Sequence, residues 1–306
     1  MSAAKPTLLD TAIASIINEM AKGTAPWRKP WKTSSGGVLP RRSTGETFSG
    51  MNAILLSTIQ MAHGYSSPYW LTFQQALALD SCVRKGERGS PAILYKTRVV
   101  PCEGEAGDGA SAGSYDRDPD RILRFLKSYA VFNACQIDGL PERFFPVALA
   151  PEPDIALDPA IERIMARFPT PVSVGGDRAC YYPATDRIQM PPRTAFDTDA
   201  DYVATLLHEF AHATGHSSRL DRFKTDGVRE AYAREELVAE LTSHLVSLHL
   251  GLAPSEAVFH NHVAYLSSWV SMLRDKPGEL LKAAGKAQAA CDLILACGCA
   301  DDQIAA

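Results

Sequence analysis

The residues best placed to do chemistry are His208-Glu209-Phe210-Ala211-His212, an H-E-x-x-H array. Two histidines four apart on a helix project from one face and can grip one metal ion. A glutamate beside the first can take a proton from water on that ion. With 8 His in 306 residues and few Glu, shuffling gives about 0.01 such arrays per chain, so coincidence is a poor account of it. The pattern points to zinc (Zn2+) and metal-assisted hydrolysis, with Glu209 as catalytic base.

A catalytic zinc needs a third protein ligand and an open position. Downstream, Glu235-Glu236-Leu-Val-Ala-Glu240 contains an E-x-x-A-E array whose outer carboxylates share a helical face. Glu236 leads as third ligand, and Glu240 would accept the outer N–H of a ligand histidine. Glu235, Glu240, His216 and Asp221 stand as rival ligands. The H-E-x-x-H-x-x-G opening also fits metzincins, but their third histidine position holds Ser218 here. Tyr182, His216 and His244 are candidate donors to a developing oxyanion.

These residues need elements to hold them. Hydrophobic periodicity predicts helices at 8–21, 52–63, 72–79 and 158–167, then a motif helix from Thr198 or Asp199 to Gly215, which stops it. Further helices are expected at 230–250, 256–273 and 278–296. Residues 92–100 and 128–134 read as strands. The Gly-, Ala- and acid-rich stretch 102–120 between them reads as a flexible hairpin insertion. Residues 179–182 and 187–190 suggest a second hairpin, turning at Ala184-Thr185-Asp186, whose edge could pair with a peptide. The Pro-rich stretch 141–159 is the best domain boundary.

Composition fits a water-soluble chain with real cores: 46% hydrophobic, with no apolar run long enough to span a membrane. Neither a membrane partner nor a secretion signal is expected. Seven scattered Cys suggest reduced thiols and a cytoplasmic home. Charge is unevenly shared. Residues 1–100 carry 12 Lys+Arg against 5 Asp+Glu, and residues 151–306 carry 14 against 22. In the basic half, Trp27-Arg28-Lys29-Pro-Trp31-Lys32 interleaves rings with cations, followed by Arg41-Arg42, Asn52 and Arg84-Lys85. Single-stranded nucleic acid is held this way, phosphates by cations and bases by rings. Trp27 and Trp31 are equally plausible as core anchors. Trp70 and Phe73 lean toward the core.

Five front segments, Gly23–Trp31, Phe48–Leu56, Trp70–Ala76, Val83–Gly89 and Tyr129–Pro141, together with His208–His216, Tyr232–Glu240 and Tyr265–Trp269, resemble the ArdC-type antirestriction proteins. The resemblance runs through nearly the whole chain. It implies an N-terminal single-stranded-DNA-binding domain and a C-terminal zinc-metallopeptidase-like domain, carried by conjugative plasmids and protecting incoming DNA from restriction. It carries over Trp27, Lys29, Trp31, Asn52, Arg84 and Lys85 as motif positions and His208, Glu209, His212 and Glu236 as the peptidase site.

The expected fold is α+β: a mixed DNA-binding domain over 1–145, then a mostly helical zincin-like domain with a small β-sheet over 155–306. The expected partners are single-stranded DNA and a protein substrate or host restriction enzyme. The rival reading is a peptidase that cleaves a repressor or restriction factor, with DNA binding only placing it.

Overall fold

The computed structural model describes residues 8–23, 38–100, 121–146, 159–223, 228–252 and 263–299. In chain order these form α1 (Leu8–Ala21), β1 (Arg41–Arg42), α2 (Gly50–His63), β2 (Tyr69–Leu71), α3 (Phe73–Leu77), β3 (Cys82–Val83), β4 (Ser90–Val100), β5 (Arg121–Asn133) and β6 (Ile137–Asp138). There follow α4 (Pro159–Arg167), β7 (Val172–Val174), β8 (Cys180–Tyr182), β9 (Arg187–Met190), α5 (Asp199–Ala213), α6 (Val228–Leu250), α7 (Val263–Asp275) and α8 (Gly278–Ala296). The fold is mixed α+β with small sheets, and its second half is mostly helical, as expected.

The front sheet runs β1-β2-β5-β4, with β1 parallel to β2 and the other pairs antiparallel. β4 pairs with β5 over its full length, from Ser90↔Val131 out to Val100↔Arg121, and the last two residues of β5 pair with β2. The stretch 102–120 and much of 141–159 lie outside the described residues. The rear sheet runs β7-β9-β8, leaving β8 at an edge. The predicted β8–β9 hairpin forms and turns through Asp186 at φ 48. Asp tolerates this left-handed conformation because its short side chain can bond locally.

One large core runs through both halves. Ile13, Ile17 and Met20 of α1 and Ile54 of α2 belong to the same buried cluster as Leu206 and Phe210 of α5, Leu241 of α6, Trp269 of α7 and Ile294 of α8. Local capping follows this packing. Ser49, at the start of α2, makes no side-chain cap. Instead the Gly50 N–H donates to Gln288 Oε1 on α8 at 2.6 Å, so the rear half satisfies an orphan donor of the front half. Two satellite clusters, around Trp70 and around Phe144, draw on successive β2 residues, Trp70 and Leu71, whose side chains point to opposite faces of the front sheet.

Candidate metal centre

The motif helix α5 starts at Thr198, whose Oγ1 accepts from the Asp201 N–H at 3.1 Å. Its apolar stripe of Val203, Leu206, Leu207 and Phe210 faces the core. The same packing fixes His208 and His212 against α6, which brings Glu235, Glu236 and Glu240.

The donors converge. His208 Nε2 and His212 Nε2 stand 3.1 Å apart, and the Glu236 carboxylate oxygens lie 3.6 Å from each. Donors roughly 2.0–2.2 Å from one tetrahedral zinc stand roughly 3.3–3.6 Å from each other; the two His–Glu236 distances fit this, and the His–His distance of 3.1 Å is slightly short of it. Among the described residues this is the one trio of His, Cys, Asp or Glu that gathers in this way. The charge balance fits too. Glu209, Glu235, Glu236 and Glu240 are all buried or nearly so, and Arg222 is the guanidinium that reaches Glu235. Buried carboxylates in such excess call for a further cation.

The outer nitrogens are also faced by acids. His208 Nδ1 meets Glu240 Oε2 at 3.7 Å. His212 Nδ1 meets Glu235 Oε1 at 3.7 Å. Glu235 therefore faces the outer nitrogen of His212 and lies outside the trio. Of the other rivals, His216 Nδ1 accepts from the Ser218 N–H and lies 3.9 Å from Asp186, while Asp221 sits at the cleft rim.

Burial pushes the Glu209 carboxyl up, opposed by His212 and by the Tyr181 main-chain N–H, which donates to it. Burial also works against Glu236, but the hydrogen bond from His208 and the charges of both imidazoles win and hold it at about 2. Glu235 is lowered in the same sense: burial opposes ionisation, and His212 and Arg222 outweigh it.

The trio opens onto a cleft of about 1590 Å³, walled by Cys180 and Tyr181 of β8, Tyr232 of α6 and Tyr265 of α7. The sequence-derived oxyanion donors do not line it. Tyr182 Oη reaches Gln189, and His244 Nε2 faces Ser57 Oγ at 3.3 Å. Three other phenols do, Tyr181, Tyr232 and Tyr265, and Tyr232 Oη lies 3.1 Å from Tyr265 Oη. The sequence held a signal for Tyr232, which precedes Glu236 by four, on the same face.

In the front half, Trp27, Arg28, Lys29, Trp31 and Lys32 lie outside the described residues. Arg41 donates to the Gly45 carbonyl at 3.0 Å, and Arg42 lies over the Phe48 ring. Asn52 clamps the Ile93 main chain, accepting its N–H at 2.7 Å and donating to its carbonyl at 2.9 Å. Arg84 bonds the Cys135 carbonyl and Glu87. Lys85 is exposed at a turn. Trp70 is buried as expected, but Phe73 is 47% exposed, a correction. It is the first residue of a five-residue helix capped by Thr72, and the residue this helix buries is Ala76.

Comparison with known proteins places this geometry. Residues 7–132 match the model for the N-terminal domain of anti-restriction factor ArdC, and residues 159–286 match a zincin-like metallopeptidase model. The crystal structure of antirestriction ArdC from plasmid R388, in its metal-free form, superposes with a TM-score of 0.76 at 37% identity, covering 94% of this chain and 96% of that one. The chain belongs to the ArdC family. The Mn(II)-bound form of that ArdC matches with a TM-score of 0.75 at 36% identity, over 97% of this chain and all of that one (100%). Two DNA primases TraC of Escherichia coli are 35% and 37% identical over 97% and 92% of this chain. The chain spans only 28% and 19% of their lengths. Within this ArdC-family chain, His208, His212 and Glu236 gather into a cluster that could hold a divalent metal ion, inside the stretch that matches the zincin-like model.

Proposed function

We propose that this protein is an antirestriction factor of a mobile element. It binds single-stranded DNA with its basic front half and protects incoming DNA from restriction, and it carries a zinc-dependent, peptidase-like centre behind. The supporting observation is similarity to plasmid ArdC in sequence and fold along almost the whole of both chains. The domain division at 145–155 belongs to this proposal.

At the centre, His208, His212 and Glu236 would hold the zinc. When bound, zinc supplies a Lewis acid that lowers the pKa of water and polarises a carbonyl. Glu209, raised by burial, is suited to take a proton and return it to a leaving amine. The β8 edge beside the cleft offers main-chain groups to an extended peptide.

The test has two arms. Wild type should prefer single-stranded DNA to duplex, with affinity falling steeply with salt. Trp27→Ala with Trp31→Ala should cost about tenfold or more, because each stacked base contributes roughly 1–3 kcal/mol. Equal affinity for both DNA forms, or unchanged binding in the double variant, sinks the DNA-binding reading. Glu209→Gln should keep zinc and DNA binding. A restriction-protection assay on that variant then assigns protection: loss assigns it to hydrolysis, retention to DNA binding.

A further inference from the structure

His212 is held from both sides. Its Nε2 belongs to the donor trio, and its Nδ1 faces Glu235 Oε1 at 3.7 Å, one small ring or carboxylate rotation from a hydrogen bond. Glu235 is itself gripped in a fork. Arg222 Nη2 donates to Oε1 at 2.6 Å and Nε to Oε2 at 3.1 Å. The same guanidinium donates to the Ala211 carbonyl and to Thr214 Oγ1, both at 2.7 Å. Arg222 thus binds the last turn of α5, which carries His212, to α6, which carries Glu235 and Glu236. Its side chain is only 5% exposed.

Gly215 makes room for this arrangement. A Cβ there would stand 3.0 Å from Arg222 Nη2, 2.8 Å from Phe223 Cζ and 3.0 Å from the His212 carbonyl. The glycine therefore keeps open the lane by which the chain after α5 folds back under the helix end.

From these contacts we infer that Glu235 and Arg222 are positioning residues for His212. Glu235 accepts the Nδ1 proton, which selects the tautomer that leaves Nε2 as metal ligand, and Arg222 acts through Glu235 by holding its carboxylate. This rests on the reading of His208, His212 and Glu236 as metal ligands. A partner on the outer nitrogen raises the basicity of a ligand histidine and fixes its ring.

Zinc affinity of the full chain, measured by competition with a chromophoric chelator, tests this. Glu235→Gln is expected to bind zinc roughly 10–100-fold more weakly than wild type. Arg222→Met should weaken binding alone, yet change it by less than about threefold in the Glu235→Gln background, because coupled residues are not additive. Arg222→Lys keeps charge without the fork and should fall between, which preserves the test if Arg222→Met does not fold. A long-range proton–nitrogen correlation spectrum of zinc-loaded wild type should place the proton on His212 Nδ1. A purely structural role would lower the melting temperature of the metal-free protein and leave the affinity of the folded form alone. Zinc affinity within about twofold of wild type in Glu235→Gln, or full additivity of the two changes, overturns the inference. Should wild type bind no stoichiometric zinc, the ligand reading falls as well. Should His208→Ala abolish binding while Glu235→Gln leaves it intact, this inference alone falls.

Discussion

Asp186 shows how single residues hold the cleft wall. It sits at the hairpin turn, and its carboxylate receives Arg219 through two nitrogens and the Tyr181 hydroxyl at 3.0 Å. Arg219 also donates to the Ala213 carbonyl at 2.7 Å, so Asp186 ties β8 and β9 to the end of the motif helix. The Arg219 hydrogen bonds hold the Asp186 carboxyl below its ordinary value against a burial effect of opposite sign. Burial and the same carboxylate push the Tyr181 phenol up to about 12. Because the folded pKa of Asp186 is depressed, its stabilisation is complete above the unfolded pKa of about 3.9 and disappears as pH falls through the folded value. Asp186→Asn should therefore cost about 1.5–3 kcal/mol at neutral pH. The gap to wild type should close below about pH 4, in urea melts run across pH. Asn accepts the left-handed backbone as well as Asp does, so the variant isolates the charge. A gap that persists unchanged at low pH would show that the charge is not what matters. At this scale the sequence marked His208, His212 and Glu236, which the fold brings together, and it put Glu240 beside His208, because these residues lie at helical spacings. It could not show that Glu235 faces His212 while gripped by Arg222, because Arg222 returns from a loop 13 residues away.

Element boundaries were legible wherever periodicity and caps agree. The predicted 8–21 and 278–296 helices form with those bounds, and Thr198 starts α5. The two-residue strands Arg41–Arg42, Cys82–Val83 and Ile137–Asp138 were not legible, because only distant partners make them strands. β5 begins at Arg121, earlier than expected, because Arg124 and Lys127 break the apolar alternation of a strand whose pairing continues to Val100. Gly215, the predicted helix stop, lies just past the end of α5, but not for the conformational reason the sequence implies. Thr214 already closes α5 in the right-handed region, and what glycine contributes is space. A pair of substitutions separates the two effects. Gly285 is exposed inside α8 with nothing near a built Cβ, so Gly285→Ala should stabilise by about 0.8–1 kcal/mol through helix propensity. Gly215→Ala should instead cost about 1–3 kcal/mol, because the His212 carbonyl cannot yield easily. Thermal melts of both proteins read the difference. Two changes of the same sign would refute the crowding argument.

For the whole molecule, the open question is whether the two halves fold as separate units. The sequence suggests a boundary near 141–159, and the sheets do divide there. The buried cluster does not: α1 and α2 share it with α5 through α8. Trp269 is a direct probe. It is fully buried on α7, and its Nε1 donates to the Ala233 carbonyl on α6 at 2.8 Å. Trp269→Ala removes a large ring from the shared cluster and leaves that carbonyl without its indole partner, at a cost of about 3–5 kcal/mol. If the cluster is one cooperative unit, the loss must reach front-half elements that Trp269 does not belong to. Hydrogen exchange would then show amides of α2 and of α8 opening at the same free energy in wild type, both lowered equally by the substitution. Zinc should act in the same way. At a free concentration of 100 Kd it should raise the stability of the whole transition by about 2.7 kcal/mol, and a chelator should remove that gain from both halves. Separate transitions, with only the rear one answering to zinc and to Trp269, would instead mean that the halves fold independently and that the shared cluster is only a contact between them.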